Sequence, residues 1–202
     1  MTAAEQVVLV NNAGEPIGTA PKYSVHGTNT PLHLAFSCYV IGQDDRILLT
    51  QRSFEKATWP GVWTNSCCGH PKPGEFIGEA MLRRLDEELG LVPSDYGMVL
   101  PDFRYRSVMD NGIVENEICP VFVAYVNSEP TPNPMEVNAH AWLEWASLKT
   151  LYGGRALTLS PWSSLQIDCL TAFSDSPRDW PQLGPTELPP RWRRALGRDT
   201  DF

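Results

Sequence analysis

The sequence has no apolar run long enough to cross a membrane, and it has little positive charge. Its first ten residues, MTAAEQVVLV, lack a basic segment followed by a long apolar run, so we predict no signal peptide. Lysine and arginine number 16 against 24 aspartate and glutamate residues, and the formal net charge is −8. Nucleic acid is therefore not expected to be the main partner, although local cations still allow an anionic small substrate inside a pocket.

The sequence also lacks a regular cysteine framework. The chain has five cysteines, an odd number that is typical of a protein in the reducing cytoplasm rather than of a disulfide-bonded secreted protein. The adjacent Cys67 and Cys68 form neither a Cys-x-x-Cys redox motif nor a zinc ribbon. Cys38, Cys119 and Cys169 lie in apolar runs and are predicted to be packing residues.

What the chain does contain is enough apolar sequence for one domain. Hydrophobic residues make up 42% of its 202 residues, and no internal repeat is present. From Ser174 the composition shifts to proline, arginine, tryptophan and aspartate. We therefore predict one domain over residues 1–173, followed by a poorly ordered or loosely packed tail over residues 174–202.

Apolar periodicity and turn residues predict a mixture of strands and helices. Strands are predicted at residues 7–10, 17–19, 32–41, 47–52, 102–106, 113–126 and 142–145. Helices are predicted from about residue 75 to 89, at 146–152 and at 161–173. The helices are placed irregularly among the strands, which favours α/β or α+β layers over a regular βαβ repeat.

The stretch from Cys67 to Leu91, CCGHPKPGEFIGEAMLRRLDEELGL, joins a Gly/Pro-rich loop to a helix that is predicted to end at Gly90. The loop composition argues against a helix or a central strand at its start. Arg84 and Glu88 lie on the apolar face of the helix, where charges are costly unless they are paired or bind an ion. They form either a buried ion pair at i,i+4 or part of a metal and phosphate site. The rest of that face is apolar: Ile77, Ala80, Met81, Leu85 and Leu89.

The same stretch resembles the Nudix box, a long signature with many fixed positions. Arg84 departs from that signature, because the family has a metal-binding glutamate there. The segment TNSCCGHP at residues 64–71, together with Arg84, resembles the type I isopentenyl-diphosphate isomerases, a non-hydrolytic Nudix branch. The resemblance implies a Nudix-type α/β/α sandwich with a mixed sheet over about residues 5–173. The matching positions are Gly69, Glu75, Arg83, Leu85, Glu87, Glu88, Gly90 and Leu91.

The resemblance implies a metal site. Three imidazoles and two carboxylates suit a divalent ion such as Mn²⁺, Zn²⁺ or Mg²⁺, and the alternative is a set of hydrogen-bonded structural histidines. By the same resemblance Glu88 binds a second Mg²⁺ that bridges the substrate diphosphate. Glu87 is either a metal ligand or a solvated carboxylate, and His140 is predicted at the surface. The implied ligands of the first site are His26, His33, His70, Glu115 and Glu117.

The resemblance also implies catalytic groups. Glu117, assisted by the Tyr105 hydroxyl, corresponds to a proton donor, and Cys68 to the group that removes a proton. Cys68 follows an unmatched Cys67 and lies beside His70, close to the implied metal and to cations, which would favour the thiolate. A buried packing role is the alternative for this cysteine.

Binding residues are implied in the same way. Trp162 corresponds to an indole that faces a carbocation, with plain core packing as its alternative. Lys56 has an exposed loop lysine as its alternative. Four cations correspond to diphosphate-binding positions: Lys22, Arg52, Lys56 and Arg84.

Three functions follow from this sequence. The first is a cytoplasmic isomerase, monomeric or homodimeric, that interconverts isopentenyl and dimethylallyl diphosphate. The second is a Nudix hydrolase of a nucleoside or sugar diphosphate, which requires glutamate where Arg84 stands. The third is a catalytically silent Nudix-like domain, which has no need of Cys68 or Glu117.

Overall fold

A computed structural model describes residues 5–183, which contain two mixed sheets and three α-helices. The first sheet comprises β1 (Gln6–Val10), β2 (Pro16–Pro21), β3 (His33–Leu34), β9 (Arg104–Val108) and β10 (Val114–Ile118). The second comprises β4 (Phe36–Ile41), β5 (Ile47–Arg52), β6 (Trp63–Thr64), β7 (Cys67–Gly69), β8 (Asp95–Leu100), β11 (Val121–Tyr125) and β12 (Val137–Leu143). The strand order is β2-β1-β3-β10-β9 in the first sheet and β12-β5-β4-β11-β8 in the second, where β6 also pairs with β5 and β7 with β4. The helices are α1 (Ile77–Leu89), α2 (Trp145–Gly153) and α3 (Pro161–Leu170).

The second sheet is the middle layer of an α/β/α sandwich. Alternate residues of β4 point to opposite faces, so Cys38 packs in a core with α1, while Tyr39 packs in a core with α2 and α3. All six residues of β4 are buried, which explains why its sequence is apolar throughout rather than alternating. The predicted fold class is confirmed.

Two long predicted strands are each divided between the two sheets. The segment predicted at 32–41 breaks at Ala35 into β3 and β4, and the one at 113–126 breaks at Cys119 and Pro120 into β10 and β11. At each break the chain crosses from the first sheet to the second. The two crossing segments lie side by side, because the Ala35 N–H donates to the Ile118 carbonyl at 2.9 Å and the Ser37 N–H donates to the Pro120 carbonyl at 3.1 Å. Residues before each crossing lie in one sheet and residues after it in the other. The groove between the sheets therefore begins here.

Helix α1 begins two residues later than predicted and ends as predicted. The Glu79 carboxylate accepts a hydrogen bond from the Phe76 N–H at 3.4 Å at its start. Gly90 ends it with φ 61°, a left-handed conformation that glycine adopts without a side-chain clash. Its buried face carries the predicted apolar residues together with Arg84 and Glu88.

Strand β7 corrects the prediction of a loop at the start of the 67–91 stretch. Cys67 and Cys68 pair with Cys38 and Ser37 of β4, and the strand ends at Gly69 before the prolines begin. Gly69 is needed for close approach, since a Cβ there would lie 3.0 Å from Arg84 Cγ. Strand β8 was not predicted at all.

The segment after residue 173 is packed for its first ten residues. Residues 177–179 form a 3-10 turn, and Trp180 is buried in ring contact with Tyr39 and Trp145. The Leu183 N–H donates to the Met98 carbonyl at 3.0 Å. Residues 184–202, the rest of the predicted tail, lie outside the described part of the chain. Within residues 5–183 no helix has both the length and the apolarity needed to cross a membrane.

Candidate active site

Four predicted metal ligands meet at one point in the first sheet. One ligand atom from each lies within 4.8 Å of the others: His26, His33, His70 and Glu117. His33 and Glu117 are neighbours in the parallel ladder between β3 and β10, whereas His26 and His70 come from the loops that follow β2 and β7. Glu115, also on β10, adds a carboxylate oxygen 3.1 Å from His26 Nε2. Sequence-distant residues thus form the predicted five-residue cluster.

The orientation of the imidazoles suits a cation. His33 Nδ1 lies 2.9 Å from the Pro31 carbonyl, which can only accept, so Nδ1 carries the ring proton and Nε2 keeps its lone pair. That Nε2 atom lies 3.4 Å from a Glu117 oxygen, a separation at which both atoms can contact one bound cation. Within residues 5–183 the buried His26 Nε2, His33 Nε2 and His70 Nδ1 have no hydrogen-bond partner. The donor set therefore fits a divalent metal.

Burial and charge act against each other within this cluster. Burial lowers the pKa of His70 to about 4, despite the Glu117 carboxylate beside it. Burial also disfavours the charged form of His33, but the Glu117 carboxylate outweighs it and raises the pKa. Burial and the Glu117 charge raise the pKa of Glu115. Burial would raise the pKa of Glu117, but the imidazoles of His33 and His70 beside it hold the pKa well below its usual range.

The cluster forms one side of a cavity of about 170 Å³ between the two sheets. His33 and Glu88 are the predicted site residues that do not line it. The ring of Trp162 lies 5.7 Å from Tyr105 and 5.4 Å from Trp59, centroid to centroid, which gives the cavity an aromatic wall. The predicted residues that line it are Lys22, His26, Arg52, Lys56, Cys68, His70, Arg84, Tyr105, Glu115, Glu117 and Trp162.

Cys68 lies in β7, at the end of the cavity formed by the second sheet. Its Sγ atom is 3.4 Å from Ser37 Oγ and 3.1 Å from Asn65 Oδ1. Burial raises the pKa of the Cys68 thiol to about 11, which outweighs the effects of Ser37, Asn65 and Arg52. Among the protein groups alone, desolvation of the thiolate outweighs the neighbouring cations, and a thiolate beside a bound metal stays a prediction.

The four predicted cations all reach the cavity, and three of them are paired with carboxylates. Lys22 Nζ lies 2.7 Å from Glu5, and Lys56 forms an ion pair with Glu136. Arg52 instead donates to the Thr58 carbonyl at 2.8 and 3.0 Å, with its guanidinium 5.4 Å from the centroid of the Trp162 ring.

Arg84 is held by three carboxylates. Its guanidinium pairs with Glu88, with Glu87 at 2.8 Å and with Glu136 at 3.0 Å. The buried i,i+4 ion pair between Arg84 and Glu88 is present and Arg84 also reaches the cavity, whereas their metal and phosphate role stays a prediction. Glu88 is not part of the histidine cluster. His140 is exposed, as predicted.

Sequence reasoning missed two side chains near this site. Glu136 holds both Lys56 and Arg84, and no motif in the sequence identifies it. Asn65 lies inside the quoted TNSCCGHP segment and contacts Cys68, so its position in that motif was the available signal.

Comparisons with known proteins agree on family and fold. The NUDIX domain family matches residues 31–163. The Isopentenyl-diphosphate Delta-isomerase of Saccharopolyspora erythraea is 52% identical over 185 residues, covering 92% of this chain and 95% of the relative. The enzyme of the same name from Rhizobium rhizogenes is 46% identical over 193 residues, covering 95% and 92%. A Deinococcus radiodurans crystal structure has a TM-score of 0.65 at 16% identity, covering 82% of this chain and 98% of that one, and so shares the fold.

Proposed function

The chain belongs to the Nudix family and to the isopentenyl-diphosphate Delta-isomerases within it, and from this premise we propose that it interconverts isopentenyl and dimethylallyl diphosphate. The observation that carries the proposal is that Cys68 and Glu117, from different sheets, line one small cavity together with four cationic side chains and the aromatic rings of Tyr105 and Trp162. Moving the double bond requires a proton added at one carbon and another removed two carbons away. Two proton-transfer groups in one cavity meet that need.

Cavity size and charge favour this substrate over a nucleoside diphosphate. A volume of about 170 Å³ is below the range of roughly 300–1,000 Å³ for sites that enclose drug-sized ligands. It suits a five-carbon chain, and the cations Lys22, Arg52, Lys56 and Arg84 provide for its diphosphate. Arg84 also replaces the carboxylate that a Nudix hydrolase requires, which argues against hydrolysis.

We assign the proton transfers as follows. Glu117 and Tyr105, cross-strand neighbours on β10 and β9, deliver the proton to the alkene, and Cys68 removes the other. Burial raises the pKa of Tyr105 well above its usual value, so its hydroxyl keeps its proton, and we assign it the role of a hydrogen-bond donor that assists Glu117 without giving up that proton. At rest the thiol is protonated and Glu117 is ionised, which is the state suited to the reaction from dimethylallyl diphosphate. Reaction from the isopentenyl isomer requires the opposite state, in which Glu117 is protonated and Cys68 is a thiolate.

The carbocation between these groups needs a surrounding without water and with negative electrostatic potential. Trp162 is 3% exposed, and its π-face is the group in the cavity that can stabilise a tertiary cation without accepting its proton. The carboxylates of Glu115 and Glu117 add negative charge on the other side.

We propose a divalent cation held by His26, His33, His70, Glu115 and Glu117. Imidazole ligands favour Zn²⁺, and carboxylates suit Mn²⁺ and Mg²⁺. When bound, the ion supplies positive charge that compensates the buried carboxylates and polarises Glu117. We also propose a second ion, Mg²⁺, which Glu88 would hold together with the substrate diphosphate and which would supply positive charge to the phosphate oxygens; Glu88 is ion-paired with Arg84, which lines the cavity.

We propose a monomer or a homodimer in the cytoplasm. A monomer or a homodimer is compatible with a site built from one chain. All five cysteines are free, which suits a reducing cytoplasm.

The test is an NMR assay with isopentenyl diphosphate in the presence of Mn²⁺, Zn²⁺ or Mg²⁺. We expect the vinylidene proton signals to be replaced by those of the dimethylallyl isomer. Release of phosphate would identify a hydrolase instead, and an unchanged spectrum with every metal would favour the silent domain.

A further inference from the structure

Asn65 is a fully buried amide beside the candidate active site. It lies between β6 and β7, is 0% exposed, and does not line the cavity. It therefore has no contact with a substrate placed there. Its neighbours Cys68 and Trp162 do line the cavity, and both contact the Asn65 side chain.

Two backbone carbonyls determine which way the amide faces. Asn65 Nδ2 donates to the Cys38 carbonyl at 3.1 Å and to the Cys67 carbonyl at 2.9 Å. Carbonyls only accept hydrogen bonds, so a flipped amide would face them with its oxygen and lose both bonds. The amide oxygen is thus directed away from these two carbonyls, toward the side chains of Cys68 and Trp162.

That one oxygen accepts hydrogen bonds from three side chains. Cys68 Sγ and Trp162 Nε1 each lie 3.1 Å from Asn65 Oδ1, and Thr64 Oγ1 lies 2.8 Å from it. The indole N–H can only donate, which independently identifies the atom facing it as oxygen. The thiol and the indole are therefore held by a single acceptor.

The same oxygen ends a chain of hydrogen bonds from helix α3. The Ser163 N–H donates to Ser160 Oγ at 3.3 Å, and Ser160 is the N-cap of α3. Ser160 Oγ lies 2.8 Å from Thr64 Oγ1. Because the Thr64 proton goes to Asn65, the Ser160 hydroxyl donates to Thr64, and each bond polarises the next. The first turn of α3, which carries Trp162, is thereby connected to β7.

We propose that Asn65 is a positioning residue that holds the Cys68 thiol and the Trp162 indole where both contact the same five-carbon chain of the substrate. This inference rests on the isomerase function proposed above. Its amide oxygen holds the thiol and the indole at a fixed separation. The indole N–H bond to this acceptor also increases electron density on the ring that faces the cation. The diphosphate cations are not in contact with Asn65, so its loss affects turnover rather than substrate binding.

The test is Asn65→Ala, with Asn138→Ala as the control for loss of an exposed amide, one that donates to Gln51 at 2.7 Å. We expect kcat in the NMR assay to fall about 100-fold, the loss typical of a misplaced catalytic group, with KM changed less than about threefold. The indole N–H resonance of Trp162, identified by its absence in Trp162→Phe, should move upfield in a ¹⁵N correlation spectrum. An unmoved resonance, or a kcat equal to that of the control, would overturn the proposal.

A second variant covers failure of Asn65→Ala to fold. Thr64→Val keeps the amide and removes one of its three donors, so we expect a shift of the same resonance and a fall in kcat of about threefold. If the resonance does not shift and kcat does not fall, the inference is wrong. The indole resonance is recorded without substrate, so it tests the contact between Asn65 and Trp162 even if the protein has no activity. A wild-type protein without isomerase activity would refute the proposed function alone.

Discussion

The two ends of the cavity are built on different physical principles. The histidine wall, formed by His26, His33, His70 and Glu117, gathers charge and leaves buried imidazole nitrogens without hydrogen-bond partners in residues 5–183. The thiol wall lies across the cavity and consists of neutral groups that satisfy one another: Ser37, Asn65, Cys68 and Trp162. The first wall needs a cation to be complete, whereas the second is assembled by the protein alone. Metal binding and proton removal are therefore separable properties of this molecule.

The largest expected effect is on the thiol wall. Cys68→Ala should lower turnover by about 10⁴-fold or more, because among residues 5–183 no other thiol or carboxylate lines that side of the cavity. Diphosphate binding, measured by calorimetry, should be unchanged since the cations remain.

Cys67→Ala is the matched control, because Cys67 faces the α1 core and is 1% exposed. It should lower thermal stability slightly and leave kcat within about threefold. Equal loss of activity in the two variants would contradict the assignment of Cys68.

The next largest effect is on the histidine wall. Glu117→Gln should lower turnover by about 10³-fold and also reduce the metal content measured by plasma mass spectrometry, since one carboxylate serves both purposes. Asn116→Ala is the control on the same strand; its amide donates to the Thr30 carbonyl, away from the cluster. Full activity in Glu117→Gln would exclude Glu117 as the proton donor.

Metal removal should separate the two walls directly. Treatment with a chelator should abolish turnover and lower Tm by about 5 °C, because an ion bound to the native state stabilises it. The Trp162 indole resonance should stay in place, because Asn65 holds it without an ion. Restoration with Zn²⁺, Mn²⁺ and Mg²⁺ in turn would identify the metal. A displaced indole signal would show instead that the walls are coupled.

The smallest effect concerns the cations between the walls. Arg84→Lys should raise KM about tenfold while kcat changes little, because lysine cannot reproduce a bidentate grip on phosphate oxygens. Initial rates over a range of substrate concentrations measure both constants. A fall in kcat with unchanged KM would place Arg84 in the chemical step instead.

The local features of α1 were predictable from sequence, because they depend on near neighbours. The 3.6-residue period identified its buried face, and Gly90 identified its end. The same period showed that Arg84 and Glu88 occupy that face. Strand β7 was misassigned because the nearby prolines suggested a loop, whereas its pairing with β4 depends on residues thirty positions earlier in the chain.

The candidate site shows the same limit. The site residues were predicted from the resemblance of TNSCCGHP and of the Nudix box to the isomerase family. The structure brings most of these residues to one cavity, and their roles stay predictions. Glu136 was missed because its contacts with Lys56 and Arg84 exist only after β12 is placed. The raised pKa of Cys68 was missed because its cause is burial, which the sequence does not show.

The sequence by itself determined the family, the fold class and the set of groups able to do the chemistry, since these depend on residue types at fixed spacing. Tertiary structure alone decided which groups face each other. The chain crosses between sheets at Ala35 and at Cys119, and these crossings place Glu117 in one sheet and Cys68 in the other. The physical reason is that hydrogen bonding between strands and burial between layers act over long sequence separations, so they bring together groups that no local pattern connects.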